Sequence, residues 1–219
     1  MPDFKAIGGT VRQRAASELR DRIITGQLRP GSRLDLDLIT EEFGTSRTPI
    51  REALIELSHE GLVSIAPRSG ITVIGITWED AVDNFAVLAT LAGKAAEWTA
   101  ARITPDELAE LRSVADAITG SADVVTANWR FHRALNRASR SPRLLTFVRH
   151  AVRAVPSNYF ELFPEQEQRS LAEHAALLDA IGRRDGRAAR LIAEEHVLHA
   201  GEALGEWLQA REREQLTAP

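Results

Sequence analysis

Apolar positions recur at helical spacing through the first sixty residues. Val11, Ala15, Leu19 and Ile23 fall every fourth position, one stripe that predicts a helix over residues 10–25. Gly26 can take the left-handed conformation that ends it, and Pro30-Gly31 reads as a turn. A short helix fits Leu36 to Phe43, closed by Gly44. A third helix follows, with Thr48 as its cap and Pro49 in a first turn that tolerates a missing N–H. Ile50, Ala53, Leu54 and Leu57 give it the i, i+3, i+4, i+7 stripe, and Gly61 stops it. The period then shortens. Leu62–Ile65 and Ile71–Ile74 are β-rich runs joined by Pro67-Arg68-Ser69-Gly70, which predicts a hairpin. Beyond Thr77, Ala and Leu dominate and β-branched runs nearly vanish. Helices are expected at 78–101, 105–119, 122–139, 143–162, 165–183 and 185–212, separated by Pro, Gly or capping residues. The pattern therefore predicts a mainly α chain: three helices and a hairpin over residues 1–76, then an all-α bundle over 77–219.

Three helices followed by a hairpin is the order of a winged helix-turn-helix, whose second helix of the pair enters the major groove by its N-terminal residues. Here that start is Ser46-Arg47-Thr48-Pro49-Ile50-Arg51. Arg47 and Arg51 are four apart and share a side turned away from the apolar stripe. Each offers a fork to guanine O6 and N7, and the Ser46 and Thr48 hydroxyls suit phosphate. Arg68, Ser69 and Gly70 form a basic, slender hairpin tip that suits a minor groove. A solvated surface arginine is the competing reading for any one of these positions.

Charge qualifies this picture. The chain has 219 residues, 27 Lys+Arg, 31 Asp+Glu and a net charge of −4. Residues 1–76 are balanced at 10 basic and 10 acidic side chains, so the deficit belongs wholly to the bundle. A neutral DNA reader needs its charges segregated, and the arginines do gather at the helix start and the hairpin tip. The absence of cysteine excludes a disulfide scaffold, a cysteine zinc site and a thiol nucleophile. No apolar run approaches the roughly 20 residues of a membrane span. The N-terminus lacks the apolar core of a signal peptide, so a soluble, cytoplasmic protein is expected.

The bundle carries a second chemistry. His132, His174 and His196 fall on three different predicted helices, each within an apolar stripe, and Asn128 precedes His132 by one turn. Three imidazoles and an amide oxygen converging in a core suit a divalent metal, and they leave positions open for water or a carboxylate. Hydrogen-bonded core histidines are the competing reading. His59 and His150 lie off the stripes and are expected at the surface; His199, near His196, is a further outer group or plays no part.

Two strings carry a family resemblance. Arg29-Pro30-Gly31-Ser32-Arg33-Leu34, then Gly44-Thr45-Ser46-Arg47-Thr48-Pro49-Ile50-Arg51-Glu52-Ala53-Leu54, with Leu57 and Glu60-Gly61-Leu62-Val63, resembles the GntR family of bacterial transcription regulators over about residues 10–75. Phe131-His132, Glu173-His174 and His196 resemble the ligand-binding FCD bundle of that family's FadR branch over about residues 78–212. The resemblance implies a repressor that binds a palindromic operator as a homodimer. Arg47, Thr48 and Arg51 would touch DNA from the recognition helix, and Ser69 and Gly70 from the wing. It also implies a metal such as zinc, nickel or manganese, held by Asn128, His132, His174 and His196 and completed by a small organic acid.

Three departures bear on those expectations. Asp37 stands where some relatives carry a basic residue, which removes one DNA contact. Asn128 replaces the usual aspartate, and the site loses a negative charge. Leu88-Ala89-Thr90-Leu91-Ala92 replaces an Arg-x-x-Leu-Glu element, with Arg130, Arg149 or Arg153 as candidates to bind the acid instead. Two rival readings remain: a bundle that only dimerises, and a metal-dependent hydrolase. The second lacks a base, because Glu173 and Glu195 precede their histidines by one residue and so turn about 100° away from them.

Overall fold

The computed structural model describes residues 9–67, 70–119 and 121–217. The chain divides into two units, the first ending at Thr77 and also taking in Pro156–Asn158, the second holding the rest.

In the first unit, helix α1 (Val11–Ile24) begins at a capping box in which the Thr10 hydroxyl accepts from Gln13 N and the Gln13 amide oxygen accepts from Thr10 N. Ala15, Ala16, Leu19 and Ile23 pack it against Ile50, Ala53, Leu54 and Leu57 of α3 (Arg47–His59). An ionic tie sits beside this seam: the buried Arg20 guanidinium donates to both Glu60 oxygens at 2.7 and 2.8 Å. Helix α2 (Leu36–Glu42) is capped by Asp35, whose carboxylate accepts from the N–H groups of Asp37 and Leu38.

Strands β2 (Val63–Ala66) and β3 (Gly70–Val73) form the expected hairpin, in register from Val63 opposite Val73 to Ala66 opposite Gly70. The sequence pattern missed a third strand, β1 (Arg33–Leu34), which pairs antiparallel with β3 and gives the order β1-β3-β2. Two residues are too few to show a period. What holds β1 in place is the turn before it: Gly31, at φ +80°, donates to Val73 O at 2.8 Å.

The second unit is helical throughout: α4 (Trp78–Arg102), α5 (Pro105–Asp116), α6 (Val124–Ala138), α7 (Pro142–Ala151), α8 (Tyr159–Leu162), α9 (Gln166–Gly182) and α10 (Gly186–Thr217). The helix expected over 143–162 does not run through. Pro156 cannot donate a helical hydrogen bond and pushes Val155 to extended backbone (φ −83°, ψ 118°), so α7 ends at Ala151, followed by a single 3-10 turn. Ala96, Ala100, Leu111, Phe131, Leu135, Leu177, Ile181 and Ala189 make the core.

Two polar contacts fix the helix order. The buried Thr99 hydroxyl donates to Leu135 O at 2.9 Å and ties α4 to α6. Arg184, left-handed at φ +56° just beyond α9, donates to the carbonyls of Ala100, Ala101 and Ile103 and closes the C-terminal end of α4. The longest helices, α4 and α10, approach closely at Gly201, where a Cβ would lie 2.5 Å from Phe85 Cβ. Among the described residues no helix is long and apolar enough to cross a membrane.

Candidate functional site

In the first unit the start of α3 is exposed. Its N-cap is Ser46 rather than Thr48, and the Ser46 side chain makes no capping hydrogen bond. The reason is local: the third helical residue is Pro49, which has no N–H to offer. Ser46, Arg47, Thr48 and Arg51 all face solvent. Arg51 makes no ion pair with the described residues, whereas Arg12, Arg20 and Arg22 of α1 are paired to Glu56, Glu60, Glu18 and Glu42. Four of the unit's acids are thus engaged by arginines of α1, and Arg51 is left without such a partner among the described residues.

Arg47 is the exception. Its Nε and Nη2 donate to the two Asp37 oxygens at 2.6 and 2.7 Å, a two-point contact between the starts of α2 and α3. At the hairpin tip Gly70 is exposed and left-handed at φ +82°, a conformation that favours glycine. Arg68 and Ser69, the other two tip residues expected to contact DNA, lie outside the described residues.

In the second unit, α6, α9 and α10 bring His132, His174 and His196 together: one nitrogen from each ring lies within 4.8 Å of the others. The ring centroids are 4.8 to 5.2 Å apart. Phe131, fully buried, stacks obliquely on His174 at 4.2 Å and closes the cluster on the core side. Burial holds His132 down to about 3 and pushes His174 far below its ordinary range. Both rings are therefore neutral near pH 7, the form that ligates metal.

His174 Nδ1, within this cluster, and Asn128 Oδ1, one turn before His132 on α6, are buried with no hydrogen-bond partner among the described residues. Buried acceptors are rarely left unpaired. A cation is the partner that both a neutral imidazole nitrogen and an amide oxygen accept, so this donor set fits a divalent metal.

Glu173 takes a role that the sequence reading did not assign. Its carboxylate accepts from His196 Nδ1 and from His199 Nδ1, each at 2.7 Å, and lies 3.2 Å from Arg169 Nε. Burial raises its pKa, but the hydrogen bonds from His196 and His199 outweigh this and leave it below the usual carboxylate range. With Nδ1 engaged, His196 has only Nε2 left for a ligand, an arrangement common around metal-binding histidines. The 100° offset along α9 directs Glu173 toward α10 rather than toward solvent. The signal was present in the sequence as Glu173 beside His174 together with the His196/His199 pair. His59 and His150 are exposed, as expected. Of the arginines considered as anion binders, Arg130 and Arg149 are exposed and Arg153 is half-buried; none is tied to this cluster by an ion pair to Glu173, as Arg169 is.

Comparison with known proteins matches each part of the chain. The profile "Bacterial regulatory proteins, gntR family" matches residues 11–73, and the FCD domain profile matches residues 83–199. The HTH-type transcriptional regulator Rv0043c of Mycobacterium tuberculosis is 27% identical over 206 residues, covering 87% of this chain and 84% of its own. The Uxu operon transcriptional regulator of Escherichia coli is 25% identical over 225 residues, covering 89% and 87%. The solved structure of E. coli McbR/YncC superposes with a TM-score of 0.64 at 21% identity, covering 95% of this chain and all of that one.

Proposed function

The chain belongs to the GntR family of bacterial regulatory proteins, carries an FCD domain and is a DNA-binding transcriptional regulator rather than an enzyme, and from that premise we propose that a small organic acid, held at a metal in the bundle, controls its hold on the operator. The reading is of a repressor that binds a palindromic operator as a homodimer, one half-site per subunit. Arg51 and Arg47 read base edges from α3, Ser46 and Thr48 hold phosphate, and Arg68, Ser69 and Gly70 enter the flanking groove.

The observation that carries the sensor half is the grouping of three imidazoles, one of them with a partnerless buried Nδ1 (His174), together with the partnerless buried Oδ1 of Asn128 one turn before His132. Asn128, His132, His174 and His196 would hold the metal, with zinc, nickel and manganese the fitting choices. A divalent cation bound there supplies a Lewis-acidic position to which a carboxylate can bind. Glu173 holds His196 in one tautomer, and Phe131 keeps water from the inner side. An acid that prefers one arrangement of the dimer shifts the population able to bind DNA.

Elemental analysis of protein purified without a histidine tag tests the site, with about one equivalent of metal per chain expected and little or none in a His174→Ala variant. A thermal-shift screen of small organic acids then tests the effector. A ligand at a hundred times its Kd stabilises by about 2.7 kcal/mol, and the shift should vanish on chelation. Metal-free protein whose DNA binding no acid alters would reduce the bundle to a dimerisation unit.

A further inference from the structure

The ion pair between Asp37 and Arg47 occupies the face that meets DNA in the reading above, and the inference drawn from it rests on that reading. Both side chains are largely exposed, at 63% and 68%. An exposed ion pair adds little to stability, and Asp35, not Asp37, caps α2. The pair is nevertheless made at two points, 2.6 and 2.7 Å, and its geometry is asymmetric. Asp37 takes the Nε–Nη2 side of the guanidinium. A guanidinium has five N–H donors in a rigid plane, so the opposite edge, formed by Nη1 and the second hydrogen of Nη2, keeps its fork. Among the described residues Nη1 has no acceptor within hydrogen-bonding distance.

We propose that Asp37 is a positioning residue for base reading: by gripping one side of Arg47 it fixes the plane and direction of the free edge, which then reads one guanine in each half-site. Asp37 itself touches no DNA. A free arginine on a helix start sweeps many rotamers and serves phosphate and base alike, whereas a braced one presents a single fork matched to guanine O6 and N7. The carboxylate also faces the phosphates and repels them. Asp37 therefore lowers affinity for every duplex while raising the preference for the right one, which is how discrimination is gained by adding a repulsive element. The position does not simply lose a DNA contact; it restricts another residue's choice of contact.

The test is selection from a random double-stranded DNA library by the full-length chain and by Asp37→Ala, Arg47→Ala and Arg51→Ala, with affinities then measured on the selected duplex and on unselected DNA. For the wild type, a palindromic motif with a guanine that Arg47→Ala no longer selects is expected. Asp37→Ala should weaken the preference for that same guanine about tenfold, leave the base assigned to Arg51 unchanged, and bind unselected DNA more tightly. Asp37→Ala binding all sequences more tightly with its motif intact would overturn the proposal, because Asp37 would then only mask Arg47. Arg47→Ala keeping the wild-type motif would overturn it as well, with the Arg51 position still attesting the recognition helix. Failure of the wild type to select any motif would instead remove the DNA reading of α3, and this inference with it. Circular dichroism confirms folding of each variant independently of its binding.

Discussion

In the first unit the candidate chemistry stands on exposed side chains at the start of one helix; in the bundle it lies on buried side chains drawn from three. The difference decides what each can do. Arg51 at the α3 start stays exposed and makes no ion pair with the described residues before DNA arrives, so its effect is strong at contact and sensitive to salt. Of the bundle histidines, His174 is buried and His132 and His196 keep only a small exposure. Burial keeps His132 and His174 neutral, and the resulting cost is offset only when something binds His174 Nδ1 and Asn128 Oδ1. On the function proposed above, one site meets a large polyanion and the other would take a small cation and what it carries.

Acid separates the two most sharply. An unfolded chain takes up a proton on each ring as pH falls through about 6.5, while His132 holds out to about 3 and His174 lower still. The unfolded state then binds more protons than the folded one, so stability falls as pH falls, by about 1.4 kcal/mol per pH unit for each such ring. Denaturant titrations of chelated protein should therefore show a loss of a few kcal/mol between pH 7 and pH 5. His132→Gln should make the fall about half as steep, and a fall of unchanged steepness would refute the buried-neutral description of that ring.

Arg51→Ala comes next, at about 1–3 kcal/mol on the selected duplex with base preference relaxed at one position. Equal binding in a mobility shift would misplace the recognition helix. Glu173→Gln should weaken metal binding roughly tenfold to a hundredfold, read by competition with a chromogenic chelator, while DNA affinity without effector stays as it was. Metal affinity that ignores this change would make Glu173 a helix tie and nothing more. The smallest effect belongs to the reader's own scaffold: Thr10→Ala, which removes the α1 capping box, should cost about 1 kcal/mol in thermal melting and leave metal content untouched.

The same contrast explains what the chain revealed before its structure. Stripes at helical spacing located α1 and α3, because a helix that buries one face must repeat it. The α3 start was legible as one contiguous string. The cluster in the bundle was half legible. His132, His174 and His196 could be picked as apolar-face histidines, but that they converge is a matter of how α6, α9 and α10 pack, and no local pattern encodes that. The partners of Glu173 were missed because a one-residue offset on a helix was measured against α9 alone, whereas α10 stands on the side to which the offset points. Strand β1 escaped because two residues show no period, and the α7 break escaped because Pro156 was outweighed by the apolar residues around it.

The contact of Phe85 with Gly201 has a mechanical consequence. Helix α10 has 32 residues, a rod of about 48 Å, and at Gly201 its backbone lies directly on the Phe85 side chain. A screw displacement by one residue, which turns the helix about 100° as it advances about 1.5 Å, would set a side chain where only a hydrogen fits. His196 sits about 7.5 Å along the axis from that contact. The same close approach recurs at Gly205 on Val82 and at Gly93 on Glu194, so α10 is seated on α4 over a long stretch on either side of His196.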